Sequence, residues 1–411
     1  MKALVLAGGF PQIALIEELR SRGVSVVLAD YSEKPVAAPY ADRFYRVSTL
    51  DVDGIEQVAR DERVDLVTTV CTDQALLTVA LVSQRLDLPC YIDYLTALNV
   101  TNKAHMKRVF VENNIPTAKH VVVDGTYMKA PALESLHYPL VVKPVDCNSS
   151  KGVRRVRNAG ELERALVDAC ALSRAKQAVV EEYVEGIELS VDAYVEDGVA
   201  RVLSISTSEK IADGDKFVIF RGNYPAEGIG RLRSRISALV QRIADAFGLK
   251  NSPMLVQIIR RGEDLYVLEF SARTGGGAKY LMVKKASGFD VIKAVVDLTL
   301  GGKPRVADIR EESRFITNEF IYCWPGTFDH VEGFDELKAR GVISEYFLFK
   351  WRGYEVKDVA SSGDRVCGFT IQADSKDEMA RKHKEAVCNI KVIDAAGRDI
   401  MRRDLMPDLH C

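Results

Sequence analysis

Leu265-Tyr266-Val267-Leu268-Glu269-Phe270-Ser271-Ala272-Arg273-Thr274-Gly275-Gly276-Gly277 reads as an apolar strand running into an arginine and a glycine turn, with one acid, Glu269, inside the apolar run. An unpaired carboxylate buried there would cost several kcal/mol, on the order of the penalty for a desolvated ion, so Glu269 needs a partner. Two kinds of partner suit it. One is a divalent cation bridging nucleotide phosphates, with Gln257 on the preceding strand and Ser271 two residues along as further oxygen ligands. The other is a buried ion pair with Arg273, Lys279 or Lys284. Residues 254–260 and 264–270 pair as a hairpin through the turn Arg261-Gly262-Glu263. Beyond it, Arg273 and the flexible Gly275-Gly276-Gly277 backbone allow an anionic substrate to be approached closely.

Towards the N-terminus, residues 138–207 alternate short strands with one helix at about 159–173, the order of a small α+β lobe. Lys143 ends the apolar strand Leu140-Val141-Val142-Lys143-Pro144 and precedes the small polar loop Asp146-Cys147-Asn148-Ser149-Ser150-Lys151-Gly152. Backbone N–H groups and hydroxyls of such a loop can donate to phosphate oxygens while the lysine supplies a point charge. Further on, Glu181-Glu182-Tyr183-Val184-Glu185-Gly186-Ile187-Glu188 sets Glu181 and Glu188 across a turn. Both can accept hydrogen bonds from an adenine amino group and ribose hydroxyls, or both can be solvated acids of a turn.

A helix opens at Thr101-Asn102, whose side chains can cap it, and ends before Pro116. Lys103 then falls in the first turn, where a cation opposes the helix dipole, which suits either an anionic ligand or an exposed side chain. The first hundred residues alternate strands and helices as βαβ units. Gly8-Gly9 follows the first strand without the G-x-G-x-x-G spacing of a dinucleotide site, so the pair is read as a tight turn, facing a cleft or purely structural. The βαβ topology also puts Thr72-Asp73 at a strand's carboxyl end, where ligands bind.

At 411 residues the chain is expected to divide into two or three domains. A formal net charge of -2 leaves no basic surplus for nucleic acid. No apolar run approaches the ~20 residues that span a bilayer, and the expected location is the cytoplasm. Eight scattered cysteines and six scattered histidines offer neither zinc spacing nor a hydrolase triad.

Taken in order, these segments resemble the ATP-grasp superfamily of carboxylate-amine and carboxylate-thiol ligases, which includes D-alanine-D-alanine ligase, biotin carboxylase and carbamoyl-phosphate synthase. The resemblance implies an α/β and α+β multidomain chain: an N-terminal βαβ domain (1–100), a two-lobed ATP-grasp domain (101–305, lid lobe about 115–185) and a small C-terminal α+β region (306–411). It implies ATP with Mg2+, or Mn2+ in its place. The nucleotide would be bound by Lys103, Lys143, Ser149, Ser150, Gly152, Glu181, Glu182, Val184 and Glu188. The metal would be held by Glu269, with Gln257 and Ser271 standing where the family usually has an acid and an asparagine. Lys143 and Arg273 would act in catalysis, Arg273 with the Gly275–Gly277 N–H groups at a developing oxyanion. The implied reaction activates a small carboxylate as an acyl phosphate and couples it to an amine. The alternatives are a bicarbonate-using carboxylase and an ATP binder that does not turn over. Small-molecule substrates and a homodimer are the expected partners.

Overall fold

The computed structural model describes residues 1–125, 131–211, 213–307, 309 and 314–406; Cys411 lies outside them. The N-terminal unit is a parallel sheet in the order Arg43–Tyr45, Ser25–Ala29, Lys2–Leu6, Leu66–Thr68. Its strands are continuous apolar runs because helices cover both faces. Gly8 serves the turn: a side chain there would come within 2.4 Å of Pro35 Cβ, and the Gly8 N–H donates to Asp30 Oδ2 at 2.7 Å.

The lid lobe is an antiparallel sheet in the order His120–Asp124, Gln177–Glu182, Leu140–Pro144, Arg154–Val156. The helix Ala159–Leu172, capped by Asn158, lays Leu162, Ala165, Leu166 and Ala169 on the face made by Leu140, Val142, Ala178 and Val180. Strand alternation then turns Val141, Lys143, Val179 and Glu181 to the opposite face, towards the body of the molecule.

The body is one eight-stranded sheet in the order Asp264–Ser271, Ser252–Arg261, Ile187–Glu196, Val199–Lys210, Ile219–Tyr224, Phe315–Ile321, Cys367–Ala373, Glu345–Leu348. The boundary expected at 305/306 therefore falls within a single continuous sheet, because three strands from the C-terminal region extend it. The helices Arg233–Ala246 and Lys103–Glu112 pack on one face, where Phe110, Phe247 and Phe270 meet. The expected helix start is confirmed: Asn102 Oδ1 accepts from Ala104 N at 2.9 Å and His105 N at 3.3 Å.

The hairpin is present but irregular. Gln257 pairs with Glu269 and Ile258 with Val267, so Leu268 is an extra residue, a β-bulge. Leu265 and Val267 point into the core, and regular alternation would bury Glu269 beside them. The bulge instead gives the core position to Phe270 and turns Glu269 to the other face, with 35% of its side chain exposed. The buried-charge problem posed by the sequence is thereby removed by backbone geometry, and none of Arg273, Lys279 or Lys284 is its ion-pair partner. Among the described residues no helix is long and apolar enough to cross a membrane.

Candidate active site

Two cavities meet between the lid and the body sheet. The first, about 130 Å³, is a slot with Val141, Ile259, Leu268 and Phe217 on its walls and Glu182, Tyr183, Val184 and Glu188 along one side. The second, about 250 Å³, extends towards the N-terminal unit and the C-terminal strands and is bordered by Thr72, Asp73, Arg273, Gly275, Lys279, Asn318 and Arg365. Lys103, Asn148, Ser149, Ser150, Gln257 and Glu269 line both. A molecule lying in the slot would thus present its far end to the second cavity past a wall of one cation, two hydroxyls, two amides and one carboxylate.

The cationic side of the slot is built from the two expected lysines. Lys143 is buried, and its ammonium pairs with Glu181. Burial alone would lower its pKa, but Glu181 outweighs this and holds it above the usual lysine value. Lys103 Nζ donates to Cys147 O at 2.7 Å and stands 3.5 Å from Glu269 Oε2. The polar loop is anchored over them: Ser150 Oγ donates to Phe217 O at 2.8 Å, and the Ser362 N–H donates to Ser149 O at 3.0 Å. Ser149 and Ser150 have positive φ, 58° and 61°. Two successive left-handed residues are costly for side chains with a Cβ, and such strain concentrates where a loop must present its backbone to a ligand.

Several expected residues take different places. Glu181, expected to accept from adenine or ribose, borders the slot but is only 2% exposed, wedged between Lys143 and Lys107, whose Nζ is 2.8 Å from its Oε2. Burial would raise its pKa, but the two ammonium groups pull it down to about 2. It is the counter-ion that keeps Lys143 charged in a desolvated wall. Gly152 lines neither cavity; it has φ 74°, and a Cβ there would come within 2.7 Å of Leu172, so it serves the loop's turn. Glu182 borders the slot and accepts from the His137 N–H at 3.1 Å.

Glu188 does face the slot. Gln257 Nε2 donates to its Oε1 at 3.0 Å, and Lys210 Nζ is 2.7 Å from its Oε2. Arg273 lines the second cavity, but its guanidinium is engaged in a bidentate pair with Asp73, with Nε donating to Oδ1 at 2.7 Å. Burial would raise the Asp73 pKa, yet Arg273 outweighs it and holds the carboxyl below its ordinary value. Ser271 lines the same cavity. Gly275 and Gly276 line the cavity, whereas Gly277 is packed against Phe320 and Arg365.

Lys107, Lys210 and Arg365 were not found by reading the sequence. Lys107 lies one helical turn after Lys103, the one signal that could have pointed to it. Arg365 stacks at 3.8 Å on the Phe320 ring, and its Nε donates to Tyr322 Oη at 3.2 Å. Among the described residues it forms no ion pair with a carboxylate.

The chain resembles known proteins in sequence and in fold. A family described as an ATP-grasp domain matches residues 136–280. By sequence, the chain is 29% identical over 188 residues to the formate-dependent phosphoribosylglycinamide formyltransferase of Ignicoccus hospitalis, covering 45% of this chain and 46% of that protein. The chain spans about half the length of that relative. By structure, it resembles the L-amino acid ligase from Bacillus licheniformis, with a TM-score of 0.77 at 23% identity over 96% of this chain and 98% of that one. It also resembles the biotin carboxylase domain of the Hydrogenobacter thermophilus 2-oxoglutarate carboxylase, crystallised with MgADP and bicarbonate, with a TM-score of 0.77 at 17% identity over 95% and 90% of the two chains. At these identities both structures establish the fold.

Proposed function

We propose, from the ATP-grasp domain that this chain carries, that it is a ligase that uses ATP to join a small carboxylate to an amine. The observation that carries the reading is the wall common to the two cavities. It sets Lys103, Ser149, Ser150 and Glu269 between a slot lined by Val141, Ile259, Leu268 and Phe217, fit for a purine, and a chamber bordered by polar and charged side chains, fit for a second substrate. Tyr183 and Val184 would offer backbone groups to the purine edge, and Glu188 would accept from the ribose. Mg2+ held at Glu269 would neutralise the phosphate oxygens.

The residues of the chain then act chiefly by position and charge. Lys143 and Lys103 stabilise charge on the phosphates as a substrate carboxylate oxygen attacks the γ-phosphorus and the bond to the β-phosphate oxygen breaks, releasing ADP. The tethered loop keeps water from the acyl phosphate. The amine nitrogen attacks the acyl carbon, the carbon–oxygen bond to phosphate breaks, and the amine's proton and inorganic phosphate leave. Arg273 is held at the chamber by Asp73, and with the Gly275 and Gly276 N–H groups it faces the carbon under attack. Arg365, free of any carboxylate among the described residues, supplies the charge that would fix an anionic part of a substrate.

ADP release by the purified protein tests this, with Mg-ATP and pooled carboxylates, amines and bicarbonate, each pool omitted in turn. Release that needs both a carboxylate and an amine pool is the expected result. Release that needs bicarbonate alone would replace the ligase with a carboxylase, and nucleotide binding without release from any pool would replace it with an ATP binder.

A further inference from the structure

We infer that this chain binds its nucleotide with a single divalent cation, at Glu269, and that Gln257 belongs to the ribose side of the slot. The inference rests on the ATP reading given above. Gln257 stands directly opposite Glu269 across the hairpin, the position from which a second carboxylate would reach the same ion. It is a neutral amide, and its N–H group is directed at Glu188 Oε1, 3.0 Å away. The orientation follows from charge: only the NH2 end of an amide can face a carboxylate at that distance. Glu188 is thereby fixed on both oxygens, by Gln257 on one and by Lys210 at 2.7 Å on the other.

The third expected ligand, Ser271, offers only a neutral hydroxyl, a weaker donor to a divalent cation than a carboxylate. What remains for metal is one carboxylate, Glu269, with the Lys103 ammonium already 3.5 Å from it. Among the described residues no three His, Cys, Asp or Glu side chains converge to hold an ion. One cation can share Glu269 with phosphate oxygens and keep waters in its remaining positions. A second would find only neutral donors and phosphate while facing both the first ion and Lys103. The residues thus fit one metal and do not fit two, and the amide that replaces the second acid buttresses the ribose acceptor.

Equilibrium dialysis with Mn2+ and the non-hydrolysable analogue adenylyl imidodiphosphate, counting both per chain, tests this directly. Wild type should retain one Mn2+ for each nucleotide. Glu269→Gln should weaken Mn2+ retention about tenfold or more. Gln257→Ala should leave Mn2+ retention within about twofold while reducing the preference for ATP over 2′-deoxy-ATP. Two Mn2+ per nucleotide in wild type would overturn the inference, as would a larger loss of Mn2+ in Gln257→Ala or an unchanged ribose preference. Wild type retaining no nucleotide would overturn the ATP reading itself, and the nucleotide count separates that result from the others.

Discussion

Lys143 and Glu181 lie on neighbouring antiparallel strands of the lid sheet, on the face turned to the body, and form an ion pair that Lys107 completes from the helix Lys103–Glu112. One buried carboxylate therefore serves two buried ammonium groups, and the charge of this wall of the slot depends on it. Its folded pKa of about 2, below the ordinary glutamate value, fixes the sign of its contribution to stability. That contribution is fully present above the unfolded glutamate pKa and is lost as the pH falls through the range down to about 2. Wild type should lose stability in acid more steeply than Glu181→Gln, by on the order of 3 kcal/mol across that range, measured as the difference between their urea-unfolding curves. Parallel pH profiles for the two proteins would contradict the pairing.

Asp73 and Arg273 bind the N-terminal unit to the body sheet through a bidentate pair with each side chain only 12% exposed. Removing one partner strands the other, so Asp73→Asn is expected to destabilise by about 3 kcal/mol. Arg273→Gln should cost a similar amount, and the double variant less than the sum of the two. A double-mutant cycle by denaturant unfolding reads this coupling directly.

Glu269→Gln should remain folded, because the β-bulge keeps that side chain out of the core, and should lose ADP formation by about a hundredfold or more. Circular dichroism together with a coupled ADP assay checks both halves. A folded variant with unchanged turnover would remove Glu269 from the site.

Restoring an acid at Gln257 is expected to harm rather than help. Gln257→Glu would place a second carboxylate beside Glu188, where the amide now donates at 3.0 Å. Like charges at that distance raise the pKa of one of them, so nucleotide affinity should fall about tenfold at pH 8 and recover partly at pH 6, where the shared proton restores a donor. Fluorescent-nucleotide titration at the two pH values gives the comparison.

Cys147→Ser should keep activity within about twofold, since the site uses that residue's carbonyl, which accepts from Lys103, and leaves the thiol uninvolved.

Much of this architecture can be read directly from the chain. The strand ending in Lys143, the hairpin carrying Glu269 and the Asn102 cap depend on local signals, namely alternation, turn residues and a side chain within reach of its own backbone. The order of these segments carries the resemblance to the ATP-grasp superfamily. What could not be read depends on packing between distant segments. Which lysine meets Glu181 is decided by how a helix lies under the lid sheet, and Arg365 comes from a loop nearly a hundred residues beyond Glu269. The bulge at Leu268 is the instructive case, because strict alternation over Leu265, Val267 and Glu269 predicts a buried acid, and one extra residue reverses its direction.

The continuous eight-stranded sheet also bears on how the gene can be cut. A recombinant fragment ending near residue 305 would remove Phe315–Ile321, the neighbour of Ile219–Tyr224, and leave a row of backbone donors and acceptors open to solvent. Bare edges of that kind recruit other copies, so such a truncation should express as inclusion bodies rather than as a minimal catalytic module.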